Sequence, residues 1–204
     1  MATTTPNYGW TVPTSTDLVK DGATAIETLG DAIDASMNTA LGTKKAGMVL
    51  LNTTSFSGVS SQSFNDVFSS TYDNYRIVTS ILGTTNDPDD ITLRFRVSGA
   101  DNTNSTYERI VVRIGSTLGS TQQGSQTSLF AGATSTQYGG VSLDVLRPNL
   151  ATITTVHGTG AYNANTEMQL NFGFFNAATV FTGFSLIALS GNMTGAVSVY
   201  GYNK

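Results

Sequence analysis

The chain has 204 residues, with 10 Lys and Arg against 14 Asp and Glu, and a net charge of −4. Only 12% of it is charged, where an ordinary domain carries roughly a quarter. No basic cluster is present to track phosphates, which disfavours nucleic-acid binding. The absence of cysteine excludes disulfides, thiol catalysis and cysteine zinc sites.

Thr, Ser, Asn and Gly take the place of the missing charges. The chain is still 39% hydrophobic, and its apolar residues are patterned, so a folded core is expected rather than disorder. A surface polar through hydroxyls and amides is cheap to desolvate. It suits tight subunit packing or contact with sugars. MATTTPNYGW has neither a basic n-region nor an apolar h-region, so it is not expected to act as a signal peptide. No apolar run reaches the ~18 residues that membrane insertion needs.

Met1 to Pro13 is rich in Thr, Pro, Gly and Asn. Pro6 and Pro13 disfavour helix in the residues before them, so an extended arm over residues 1–13 is expected. Tyr8 and Trp10, the only tryptophan, form an aromatic pair on this arm. The pair either folds back on its own domain or docks into a partner.

Thr14 to Asp17 fits an N-cap region with an acidic first turn. From there the chain carries the one convincing helix signal, placed over residues 14–42 and stopping at Gly42. Val19, Gly22, Ile26, Leu29, Ile33, Ser36 and Ala40 recur at alternating spacings of three and four, which makes a heptad seam. Lys20, Asp21, Glu27, Asp31 and Asp34 fall off it. Gly22 and Gly30 each cost ~1 kcal/mol relative to Ala, so the helix is expected to form when assembled. Val19, Ile26, Leu29, Ile33 and Ala40 are the candidate oligomerisation residues. The bland alternative is an amphipathic helix lying on its own β domain.

From residue 46 to 204 the pattern is that of β-strands separated by polar turns. Ile91, Leu93, Phe95 and Val97 alternate with Thr92, Arg94, Arg96 and Ser98. Tyr107 to Ile114 repeats the scheme, with Ile110, Val112 and Ile114 expected inward and Arg109, Val111 and Arg113 outward. Met168, Leu170, Phe172 and Phe174 alternate with Gln169, Asn171 and Gly173. Further strands are expected over Gly47–Thr54, Tyr75–Ile81, Val141–Leu146, Ile153–Val156, Phe184–Leu189 and from Val197 onward. Eight or nine such segments predict a mainly β fold, an antiparallel sandwich of jelly-roll type behind one N-terminal helix. Two stretches read as connections instead. Ser57 to Ser70 is polar with Phe56, Phe64, Val67 and Phe68 as anchors. Ser116 to Tyr138 is a long Gly/Ser/Thr/Gln-rich loop around Leu129 and Phe130.

Catalytic chemistry finds little support. No nucleophile-elbow sequence surrounds any serine, and His157 reads as a strand-end or turn residue. Asp144 and Glu167 give no reason to be paired as glycosidase acids. The turn Asn86-Asp87-Pro88-Asp89-Asp90 offers Asp87, Asp89 and Asp90 as weak calcium candidates, but it lacks the EF-hand Gly and Glu and reads first as a solvated turn. No cofactor is expected. Arg94, Arg96, Arg109 and Arg113 lie on the polar faces of strands taken as neighbours. They either pair with Glu108 and nearby acids, or form a subunit interface or a site for acidic sugars. Tyr138, Tyr162, Tyr200 and Tyr202 are candidates for sugar stacking or for the core edge.

The opening NYGWTVPTSTDLVKDGATAIETLGDAIDAS resembles the N-terminal segment of small virion proteins of tailed bacteriophages. YDNYRIVTSILGTTNDPDDITLRFRVSG and the ending GAVSVYGYNK resemble the β-sandwich heads of phage fibre and minor tail proteins. The resemblance implies a homotrimer on the tail or capsid surface, with an N-terminal segment held by other virion proteins and a projecting jelly roll. It implies a fibre or spike whose head binds a host-surface glycan, or else a capsid decoration or head fibre that anchors to the shell. An enzyme acting on cell-surface polysaccharide is the weaker third reading.

Overall fold

A computed structural model describes residues 3–16, 18–41, 47–84, 89–115, 118–137, 139–163 and 167–204. The chain divides into two compact units, residues 1–46 and residues 47–204.

In the first unit the N-terminal stretch is not the extended arm expected. β1 (Thr3–Thr4) pairs antiparallel with β2 (Thr11–Val12), which makes a small hairpin. Gly9 supplies a left-handed residue at φ 66°, and the Thr5 hydroxyl accepts from the Trp10 amide, so Pro6 sits in a turn that closes, while Pro13 follows β2. The helix also begins later than the sequence indicated. A 3₁₀ turn at Val19–Asp21 leads into α1 (Gly22–Leu41). Leu18 stands at the N-cap without a side-chain capping bond, and Asp17 lies outside the described residues, as does the predicted stop at Gly42.

The second unit is an antiparallel β-sandwich. Its strands are β3 (Met48–Val59), β4 (Ser61–Phe64), β5 (Asn74–Gly83), β6 (Asp89–Val97), β7 (Ala100–Asp101), β8 (Tyr107–Ile114), β9 (Leu118–Gln126), β10 (Leu129–Thr134), β11 (Val141–Leu146), β12 (Thr154–Asn163), β13 (Glu167–Phe175), β14 (Gly183–Ala188) and β15 (Met193–Tyr202). The large sheet runs β3-β15-β5-β11-β12-β13-β8-β9. The small one runs β10-β6-β14-β4, with β7 pairing on β6. The β6–β7 hairpin turns through Ser98 and Gly99, both at positive φ, as a two-residue turn requires.

Both predicted loops contain strands. Ser57 to Ser70 continues β3 to Val59 and then forms β4, with Phe64, Val67 and Phe68 buried. Ser116 to Tyr138 holds β9 and β10. β9 (LGSTQQGSQ) is almost wholly exposed and is held by its ladder to β8, so it shows no hydrophobic alternation. β10 (LFAGAT) is wholly buried and shows none for the opposite reason.

The core lies between the sheets and is rich in aromatic pairs. Phe95 stacks on Phe181 at 4.6 Å between ring centroids, and Phe175 meets Phe181 and Tyr107 edge-on. A second group joins Phe64, Phe68, Phe184 and Tyr75. The Tyr107 hydroxyl accepts from the Phe95 amide at 3.1 Å and donates to the Asn102 carbonyl at 2.9 Å, which ties the two sheets together. Burial holds that phenol well above its ordinary pKa.

Candidate functional site: the outer face of the large sheet

The predicted facing of β8 is inverted. Tyr107 and Val111 are buried, whereas Ile110 and Ile114 are 38% and 46% exposed. β13, for which alternation alone was expected, has the same facing: Gln169 and Asn171 lie inside, while Met168 and Phe172 are 60% and 46% exposed. Register shows why the two strands face alike. Phe172 sits opposite Ile110, and Gln169 opposite Arg113, so adjacent strands must share a facing. The interior polar groups are satisfied in part: Gln169 donates to the Asn171 side chain, and Asn171 donates to the Ala131 carbonyl of β10 at 3.1 Å.

The four arginines therefore do not share a face. β6 and β8 belong to different sheets. Arg96 is locked into a cluster on β6, β4 and β14: it donates to Asp101, to the Ser63 hydroxyl at 2.9 Å, to the Ser185 hydroxyl at 2.8 Å and to Asn65 at 2.9 Å. Arg94 donates to the Thr127 carbonyl at 3.1 Å and holds the β9–β10 turn. Arg109 and Arg113 share the facing of Val111, turned inward, and their charges act on Asp90. Arg96 is a fastener rather than a ligand group.

The Asp90 carboxyl is perturbed by this arrangement. Burial raises its carboxyl above the ordinary 3.8, and the pull of Arg113 and then Arg109 only partly opposes this. One buried oxygen, Oδ1, has no hydrogen-bond partner. A raised carboxyl pKa means that the folded state holds the proton more tightly than the unfolded chain does. The stability tied to Asp90 is therefore full below 3.8 and is lost as pH rises through the folded value. Asp90→Asn should match the wild type in melting temperature near about pH 3 and exceed it slightly near about pH 7. A variant less stable than the wild type at the higher pH would contradict this.

The calcium candidates separate. Asp89 is buried and accepts from the Ser190 hydroxyl, Asp90 faces the arginines, and Asp87 lies outside the described residues. Among the described residues no group of three or more His, Cys, Asp or Glu is placed to hold a metal.

A polar cluster that no motif signalled lies on the outward face of β5, β11 and β15. Register puts Arg76 opposite both Asp144 and Tyr200. Arg76 donates to the Ser142 hydroxyl from Nε at 3.0 Å and from Nη2 at 2.9 Å. Tyr202 donates to Asp144 at 2.6 Å, and Arg76 Nε lies 3.9 Å from the same carboxylate. Burial, followed by the neighbouring Asp144, raises the Tyr202 pKa. The members on different strands are 58 to 126 residues apart in sequence, so only strand pairing assembles them. The available signal was a charged residue at an outward position on each of two separate strands, β5 and β11.

His157 borders this cluster. It is not at a strand end but inside β12, opposite Asp144 on one side and Phe172 on the other. Beyond it the face turns apolar. A cavity of about 220 Å³ lies over Ile110, Phe172 and Phe174, rimmed by His157, Gln122 and Glu108. Of the tyrosines singled out, Tyr200 and Tyr202 reach this face, Tyr138 lies outside the described residues, and nothing is described of the Tyr162 side chain.

In the first unit, Trp10 Nε1 donates to the Ser36 hydroxyl on α1 at 2.9 Å, and Tyr8 stacks on Trp10 at 5.1 Å. Trp10 thus folds back onto its own helix, while Tyr8 stays 72% exposed. Leu29, Ile33 and Ser36 are half-buried. Val19 and Ile26 are 95% and 66% exposed, and Ala40 is exposed. No helix among the described residues is long and apolar enough to cross a membrane.

No family model and no curated protein matches this sequence. Among solved structures, a Caenorhabditis elegans galectin is 14% identical over 76% of this chain and 96% of that one, with a TM-score of 0.32. A human SPRY domain is 11% identical over 76% of this chain and 96% of that one, at 0.30. The CBM2 module of an evolved Dit from Lactobacillus casei BL23 phage J-1 is 8% identical over 71% and 69%, at 0.23. Similarities of this size carry no inference about ligand or activity. The sheet order and register alone define the sandwich.

Proposed function

We propose that the chain is a structural protein of a tailed-bacteriophage virion, a homotrimeric fibre or spike held on the particle by its N-terminal segment, with the sandwich presenting a host-surface glycan site. The observation that carries the reading is the helix. It keeps Ile26 in water on the seam, with Val19 exposed on the 3₁₀ turn before it, and a helix of this composition has little reason to persist without partners. Tyr8, exposed beside the anchored Trp10, is the natural contact to the particle. No catalytic role is assigned.

Glycan binding falls to the Arg76, Asp144, Tyr202 and Ser142 cluster. A guanidinium steadied by a hydroxyl, beside a carboxylate and phenols, offers paired donors and acceptors to vicinal sugar hydroxyls, with tyrosine rings for their C–H faces. A glycan array probed with the full-length chain should give hits that Arg76→Ala and Asp144→Asn each reduce by about tenfold or more, a loss of about 1.4 kcal/mol per factor of ten. Hits of equal strength from the variants would remove the site from the reading. Cryo-EM of the intact particle decides the mounting. Residues 1–41 are expected at the tail, and density over the capsid lattice would make the protein a decoration instead.

A further inference from the structure

The polar cluster occupies only part of the outward face of the large sheet, where Leu50 and Val78 are exposed beside it. Apart from it, Ile110, Ile114, Leu118, Met168 and Phe172 stand between 38% and 76% exposed. They are in register across three strands, Phe172 opposite Ile110 and Met168 opposite Ile114, with Leu118 next to Ile114 on β9. Such contiguous apolar surface is unusual on a protein that works alone. It arises from a strict alternation that spends the apolar side chains outward and Gln169 and Asn171 inward. We propose that this apolar patch is a contact between copies of this chain, with the cavity over Ile110 and Phe172 receiving an apolar side chain of the neighbouring copy. The proposal rests on the self-assembly part of the reading above and names the surface involved.

Two observations favour a second copy over a foreign partner. First, the face carries little charge: Glu108 and His157 are the titratable groups among the described outward positions of β12, β13, β8 and β9, and Arg109, which also lines the cavity, donates to the Gln123 side chain at 2.7 Å. A charged partner finds nothing to pair with, whereas an identical neutral face does. Second, the face ends at an open edge. β9 is the outermost strand among the described residues, nine residues long, with neither a charge nor a proline to blunt it. Like edges and like faces meet best in a symmetric assembly. Copies joined through the α1 seam would hold the faces at high local concentration, so each face contact can be modest on its own.

Because the chain has no cysteine, a single thiol reports the face cleanly. Met168→Cys and, as a control at an exposed bend, Ser60→Cys would be made in the full-length chain and labelled with a maleimide, with particle mass followed by light scattering. An oligomer in which the Met168→Cys thiol reacts about tenfold more slowly than the control is the expected result. An oligomer with equal rates overturns the face contact and leaves assembly through the helix standing. A monomer overturns both. A second full-length variant, Phe172→Gln with Ile110→Thr, should raise the concentration for half-dissociation about tenfold while leaving the fold intact by circular dichroism. An unchanged dissociation midpoint also overturns the proposal.

Discussion

A full-length chain carrying Ile26→Asp and Ile33→Asp should run as a monomer under conditions where the wild type is an oligomer. Ile26 is 66% exposed and Ile33 is half-buried, so neither carboxylate is forced into a core of its own chain. At an intermolecular seam the same carboxylates would face their own copies, where desolvation and like-charge repulsion add. The sandwich keeps its strands, so circular dichroism should retain its β signal while light scattering reports the smaller mass. An unchanged oligomer would place the seam against the protein's own residues and remove the helix from the assembly. Tyr8→Ala, by contrast, lies off the seam and should leave the oligomer intact.

Two phenylalanines give the other large effect, and they should behave oppositely. Phe95→Ala removes a ring that is 0% exposed and stacked on Phe181. The transfer and cavity costs together come to about 3–5 kcal/mol, against a total domain stability of about 5–15 kcal/mol. Denaturant melts should show a loss of that size, with partial unfolding at ambient temperature as its extreme. Phe172→Ala removes the same side chain from a position 46% exposed on the outer face. In a dilute monomer it should cost under about 1 kcal/mol, the range of surface substitutions. A loss at Phe172 as large as at Phe95, in a monomer, would mean that β13 packs with the opposite facing. The pair therefore tests the inversion directly.

That inversion marks the limit of what local pattern decides. Tyr107 to Ile114 and Val141 to Leu146 were legible as strands residue for residue, because a period of two is a local property. Alternation separates two faces without saying which is inside. On β8 one face holds Ile110 and Ile114 and the other Tyr107, Val111 and two arginines. Hydrophobic count favours the first face. The structure turns in the second: Tyr107 bridges to Phe95, and the charges of the arginines act on Asp90. β9 was invisible because backbone pairing needs no apolar side chain. The Arg76 cluster was invisible because its members come from three strands far apart in the chain.

The sequence by itself determined the class of fold, the presence of one N-terminal helix though not where it begins, and a surface that is poor in charge and free of cysteine. Each of these follows from composition or from spacing along the chain. Tertiary structure alone decided which arginines face solvent, that Trp10 is anchored on Ser36 while Tyr8 stacks on it and stays exposed, and that the large sheet carries a polar cluster and, apart from it, an apolar patch. These depend on register and sheet order, where a one-residue change reverses every side chain, and no window of sequence contains that information.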